Sequence, residues 1–253
     1  MPLNFSRKLT GRSRSKDANF QLGCVLAFVA GAINAGGFLA VQQYTSHMTG
    51  IVSAMADHIA LGAYDLVLTG AGALVSFLVG AACSAAMVNY SRRHYMHSEY
   101  AFPLLFEAGL LLCFGLLGSK LAAIDGVFFS VTVMLLCFIM GLQNAVITKL
   151  SNAEIRTTHI TGIVTDIGIE LGKLFYWNSP RMGSTLKVTA DKFRLKVLTT
   201  LASSFAIGAL VGALGFKHVG YVATVPLALV LMALVIVPVL DDFCDYVRKS
   251  KTK

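Results

Sequence analysis

Charged residues are scarce in this chain: they make up 13% of its 253 residues, against 56% hydrophobic residues. Water-soluble domains carry roughly 25% charge, so most of this surface is not built to face water. Cysteines are few and odd in number, five in all. Cys24, Cys83, Cys113 and Cys137 fall in apolar runs and Cys244 in the tail. None has metal-knuckle spacing, so they read as small packing residues. No Walker loop is present, which excludes an ATP engine within the chain, and no Gly-x-Ser-x-Gly elbow occurs. Gly36 and Gly37 follow an apolar helical run instead of a strand, which excludes a dinucleotide-binding turn. Ser46 and His47 are adjacent, too close in sequence to be taken as nucleophile and base. The expectation is no enzyme and no cofactor. His47, His58, His159, Asp57, Asp166 and Glu170 carry donor atoms for a transition metal, but not the spacing of a tight site, so no metal is expected. The net charge of +8 comes without interleaved aromatics, so nucleic acid is not an expected partner.

What the chain does have is long apolar runs, at 20–41, 66–89, 101–119, 124–147, 197–215 and 219–240. Each, at roughly 20 residues, can cross a bilayer as a helix. One membrane domain over 20–240 uses the chain, leaving a basic arm at 1–19 and a basic tail at 241–253. The first run starts after a polar arm and contains Asn34, so it reads as a functional helix and not as a cleaved export signal.

Two apolar segments, 49–62 and 160–172, are too short to span and carry ionisable groups. Suppose that they dip in and return, and that the N-terminus is cytosolic. Every Lys and Arg except Lys120 and Lys217 then lies on the cytosolic side. If both cross instead, Arg92, Arg93, Lys149, Arg156 and Lys217 lie outside. The positive-inside rule prefers the first arrangement: six spans plus two re-entrant or broken segments. The expected location is a bacterial inner membrane, with both termini and the 90–100 and 173–196 loops cytosolic, the basic side chains meeting anionic headgroups of the lipid bilayer.

The chain also repeats itself. Gly31 to Ala35 reads GAINA and Gly141 to Ala145 reads GLQNA. Ser46-His47-Met48-Thr49-Gly50 follows the first, and Thr158-His159-Ile160-Thr161-Gly162 the second. Ser76, Phe77 and Gly80 match Ser204, Phe205 and Gly208, and Pro103 matches Pro226, all in the same order. Two repeats, 20–120 and 124–240, follow from this. With three spans each, the second enters from the opposite face, and the repeats are inverted. Small residues four apart, from Gly72 through Ser76 and Gly80 to Ser84 and from Ser204 through Gly208 to Gly212, are expected to let helix backbones approach and pack the halves together or against the re-entrant helices.

Each His-x-Thr-Gly motif stands just before a short helix. A structural reading makes Thr49 and Thr161 the caps of buried helix starts. A functional reading notes that a helix starting inside the membrane aims free N–H groups and its positive dipole end at the interior. Two such starts near a pseudo-two-fold axis would make a pocket for an anion or a polar neutral solute. Its candidate ligands are Asn34, Ser46, His47, Thr49 and Gly50 in one half. In the other they are Gln143, Asn144, Thr158, His159, Thr161 and Gly162. Asp166, Glu170, Asp57 and Glu107 are candidate proton carriers, since ionisable groups are costly in a membrane and tend to serve a function there. Lys173, three residues from Glu170, could neutralise it. Glu107 has Val230 as its counterpart, so the halves have diverged in charge.

These motifs, GxxNA with SHMTG and GLQNA with TTHITG, resemble those of the YoaK-like integral membrane proteins of bacteria. That UPF0700-type group, a domain of unknown function, is also seen in fungi. The resemblance covers nearly the whole membrane region. It implies a multi-span inner-membrane protein and no particular substrate.

The sequence thus points to an all-α polytopic membrane protein: two inverted repeats, each with three spanning helices and one short re-entrant or broken helix. The expected function is secondary transport of a small polar or anionic solute, with proton coupling as an option. The alternatives are a passive channel for a small solute or ion, and a sensor, scaffold or lipid-handling component. A homo-oligomer is a lesser option.

Overall fold

A computed structural model describes residues 16–94, 96, 98–121, 127–150, 158–178 and 187–251. The regular elements among them are all helical. They are α1 (Lys16–Val41), α2 (Met48–Ala60), α3 (Tyr64–Arg93), α4 (Ala101–Leu121), α5 (Val127–Leu150), α6 (Ile160–Phe175), α7 (Lys192–Val219) and α8 (Thr224–Lys251). A 3-10 turn, Gly220–Ala223, joins the last two, with Gly220 at φ +64° where side chains rarely go. Most of the basic arm, the part of the 173–196 loop over 179–186, and positions 95 and 97 lie outside the described residues.

Among the described residues five apolar stretches are long enough to cross a membrane: Asp17–Val41, Tyr64–Arg93, Ala101–Gly118, Val131–Leu150 and Lys192–Asp242. The last, of 51 residues, contains α7 and α8 on either side of the 3-10 turn. At 13 and 16 residues, α2 and α6 reach only about 20 and 24 Å at 1.5 Å per residue. The hydrocarbon layer is roughly 30 Å thick.

Contacts fix the helix directions. On α1 and α5, the Asn19 side chain reaches the Leu150 carbonyl, the Gln143 amide donates to the Leu26 carbonyl, and Gly37 faces Leu136. Rising numbers meet falling ones, so the pair is antiparallel. On α1 and α7, Phe28 meets Gly208, Ala32 meets Gly212 and Gly36 meets Phe216, so this pair is parallel. The pair α3 and α5 is also parallel, Gly72 facing Met134 and Gly80 facing Phe138. Helices α4 and α8 are antiparallel, tied by Ser98 to Asp242 and by the Thr224 hydroxyl to the Leu111 carbonyl. It follows that α1 and α3 point opposite ways, as do α5 and α7. In the chain α2 and α6 each lie between such a pair.

The interior belongs to α1 and α5: 56% and 61% of their apolar windows are buried, against 17% for α3. Around them the packing is reciprocal. A Cβ added to Gly31 on α1 would land on the Phe205 carbonyl of α7, and one on Gly208 would land on Phe28. A Cβ on Gly141 of α5 would land on the Phe77 carbonyl of α3, and one on Gly80 on Phe138. The small-residue rows are thus used where two backbones touch. In lipid such close approach is what holds helices together, because burying apolar surface gains little there.

Candidate functional site

The polar residues of the His-x-Thr-Gly motifs gather at the starts of α2 and α6. After α1 the chain must fold back. Gln42 does this in the left-handed region at φ 48°, its N–H donating to the Phe38 carbonyl. The returning segment is tied to α1 where Asn34 Oδ1 accepts from the Ser46 N–H at 3.1 Å. The other half has the same tie: Asn144 Oδ1 accepts from the Thr158 hydroxyl at 2.5 Å, while its own Nδ2 donates to the Met140 carbonyl. Both asparagines therefore spend a carboxamide oxygen on holding the chain ahead of a helix start.

The caps differ from the structural reading of the sequence. His47 and His159, not Thr49 and Thr161, are the N-cap residues, and neither start has a side-chain cap. The first intrahelical bonds are Ile51 N–H to His47 O and Ile163 N–H to His159 O. The amides ahead of them have no bond of that kind, and an uncapped start carries the positive end of the helix dipole. The glycine of the motif has a local cause. A Cβ at Gly50 would sit 2.6 Å from His47 Nδ1, and one at Gly162 would sit 2.6 Å from His159 Nε2. Each imidazole lies over the glycine three residues on, and only a missing side chain leaves it room. Gly162→Ala should thus displace the His159 ring while the protein still folds. A shifted imidazole signal in NMR with unchanged thermal stability is the expected result; an unshifted ring would discount this account of the motif.

Between the two starts lies a cavity of about 680 Å³. Its walls include Asn34, Ser46, His47 and Thr49 from one half, and Asn144, Thr158, His159 and Thr161 from the other. Met48 and Ile160 of the motifs also line it, as do four further residues, Tyr44, Phe77, Thr148 and Phe205. None of these residues is an acid, a lysine or an arginine. Sequence reasoning missed the four, although Phe77 and Phe205 belong to a repeated landmark and Thr148 lies one helical turn beyond Asn144. A second cavity, of about 400 Å³, adjoins along α2 and includes His58 and Thr69. Tyr44 and His47 line both, so they stand between the two.

Other candidates lie elsewhere. Gln143 is buried in the α1–α5 contact, its amide on the Leu26 carbonyl. Asp57 is exposed near the far end of α2. Asp166 pairs with Arg194 at 3.0 Å. Glu170, buried, takes the Lys173 ammonium at 2.9 Å and the Asp191 N–H at 2.8 Å, with Arg194 at 4.0 Å. Among the described residues no three His, Cys, Asp or Glu side chains stand together as metal ligands would.

The Lys173 hydrogen bond, then the Asp191 amide, hold the Glu170 carboxyl below the usual carboxylate range. A depressed carboxyl stabilises the fold above its ordinary value, about 4.3 for glutamate, and loses that contribution as pH falls through the lowered one. The protection of the Asp191 amide, taken against its intrinsic exchange rate at each pH, should therefore fall on acidification below that range. In Glu170→Gln it should already be low at neutral pH. Hydrogen-exchange mass spectrometry that found neither change would reject the tie.

Residues 22–237 match the model of a family described as "Protein of unknown function (DUF1275)". The chain is 26% identical over 212 residues to the UPF0700 transmembrane protein YoaK of Bacillus subtilis (strain 168), covering 81% of this chain and 88% of that one. No solved structure matches it.

Proposed function

The chain belongs to the DUF1275 family and is an integral membrane protein, and on that footing we propose that it is a secondary transporter of a small polar or anionic solute, bound between the starts of α2 and α6. The observation that carries this reading is the central cavity, faced by two uncapped helix starts and two histidines and lined by no acid. Positive dipole ends without a neighbouring carboxylate favour an anion or a strongly polar neutral group. The histidines add ring N–H donors. Catalysis forms no part of the proposal.

The architecture proposed is an inverted repeat of 20–120 and 124–240 in a bacterial inner membrane, both termini cytosolic. Its support is the antiparallel run of α1 and α5, and the exchange by which each half's first long helix packs on the other half's second. Alternating access would then come from one half rocking against the other. A cysteine at Gly62, in the α2–α3 turn, should react with an impermeant thiol reagent from outside intact cells. One at Asn178 should react only after permeabilisation. The reverse pattern would defeat the topology.

The functional test is a thermal-shift screen of the purified protein against small carboxylates, inorganic anions, amino acids and polyols. A ligand at 100 times its Kd should stabilise by about 2.7 kcal/mol. A binder should be found, and its uptake into vesicles should saturate. A passive channel, suggested by the second cavity beyond Tyr44 and His47, would conduct without saturating. No binder in either assay would leave the proposal without its premise.

A further inference from the structure

In contrast to the paired acids near α6, one buried carboxyl on α4 stands without a partner among the described residues. Glu107 on α4 is wholly buried, and neither of its oxygens has a hydrogen-bond partner among the described residues. Its surroundings at that level can be read from the helix registers. On α8, between the Ser98–Asp242 and Leu111–Thr224 contacts, the buried side chains are Leu227, Ala228, Leu231, Val235 and Pro238, all apolar. On α5, Phe138 meets Phe106 edge-on, with the buried thiol of Cys137 beside it in sequence. On α3, Arg92 meets Glu99 and Tyr100 across the turn into α4. About two helical turns further from that turn on each helix stand Ser84 and Glu107. Ser84 is also buried, with an unpartnered hydroxyl.

A cation reaches the same level of α3. The Lys149 ammonium donates to the Ala85 carbonyl at 3.3 Å and to the Asn89 side chain at 2.9 Å. Ala85 is the neighbour of Ser84. Both of Lys149's partners are neutral, and among the described residues no carboxylate pairs with it. Other charged groups near the start of α4 are engaged: Arg92 with Glu99 at 2.7 Å, and Asp242 with Ser98. The fold therefore keeps an acid of the first half apart from a base of the second, and the position matching the acid in the second half is the exposed Val230.

We propose that Glu107 is a proton-binding site whose ionised form pairs with Lys149. While the proton is on the carboxyl, the acid sits neutral in its apolar slot and Lys149 rests on Asn89. When the proton leaves, the carboxylate draws the ammonium along α3, past Ser84. If the transport reading holds, this is the coupling proton, and the asymmetry between the halves makes its loading one-sided. The site itself does not depend on that reading.

The test uses the full-length protein in lipid nanodiscs with dicyclohexylcarbodiimide, an apolar reagent for protonated carboxyls. The acid's proton goes to a carbodiimide nitrogen and its oxygen bonds the central carbon. Acyl shift to nitrogen then leaves a stable acylurea that mass spectrometry maps. We expect an adduct at Glu107 that fades as pH rises, with Asp166 and Glu170 unmodified. In Lys149→Met the adduct should persist to higher pH, because the carboxylate has lost its partner. Glu107→Gln and Glu107→Val, the latter copying the other half, should give none. No adduct at any pH, or a pH dependence that Lys149→Met leaves unchanged, would overturn the proposal. The wild type and Lys149→Met decide it even if the Glu107 variants fail to fold. No solute is used, so its failure is distinct from failure of the transport reading.

Discussion

Gly141→Val is expected to prevent recovery of folded protein from membranes, whereas Gly109→Ala is expected to be neutral or mildly stabilising. The two glycines lie in adjacent long helices of similar hydropathy and differ in what surrounds them. A Cβ at Gly141 would fall on the Phe77 carbonyl, which is backbone and cannot rotate away. A valine there must force α3 and α5 apart along their shared length, at about 3 kcal/mol or more. In lipid no other term makes up for lost backbone contact. Nothing lies within 4 Å of a Cβ at Gly109, so alanine there gains up to about 1 kcal/mol of helix propensity. Gly31→Val should reproduce the Gly141 result, because it meets Phe205 in the same way. Size-exclusion recovery and thermal melts of the three variants are the readout. Tolerance of valine at both Gly31 and Gly141 would mean that the α1–α7 and α3–α5 contacts do not hold the protein together.

The second large effect concerns binding. Replacing His47 and His159 together by Ala should abolish the ligand-dependent thermal shift, a loss of about 100-fold or more in affinity if two charge-assisted hydrogen bonds of 1.5 to 3 kcal/mol each are removed. Stability without ligand should change little, because neither imidazole caps its helix and both are exposed to the cavity. Asn34→Ala and Asn144→Ala should behave differently. Their oxygens hold Ser46 and Thr158, so they should cost stability as well as binding. A double histidine variant that still binds would return the motif to a purely structural role.

Much of this was legible in the sequence because the relevant signals are local. Apolar length set the long helices, and the two short runs at 49–62 and 160–172 correspond to Met48–Ala60 and Ile160–Phe175. The repeated His-x-Thr-Gly motifs pointed to paired helix starts, which the structure places around one cavity. What periodicity cannot give is the partner across a contact. Gln143 and Asn144 are both amides, but standing one residue earlier on the helix turns Gln143 from the cavity to the α1 backbone. Glu170 and Asp166 looked like carriers until the 187–196 segment brought Asp191 and Arg194 against them. The role of Gly50 and Gly162 was invisible because it is an absence, the space an imidazole occupies.

The central claim is that Thr49 and Thr161 face a shared, water-filled cavity, and not lipid. Single cysteines at these positions, in a chain freed of its five native ones, can be challenged with a charged, membrane-impermeant thiol reagent and with a lipid-soluble maleimide. The account expects the charged reagent to modify both positions in membranes, with each reaction slowed by a bound solute. Modification of both by the lipid-soluble reagent alone would show that the helix starts face the bilayer, and would contradict the account.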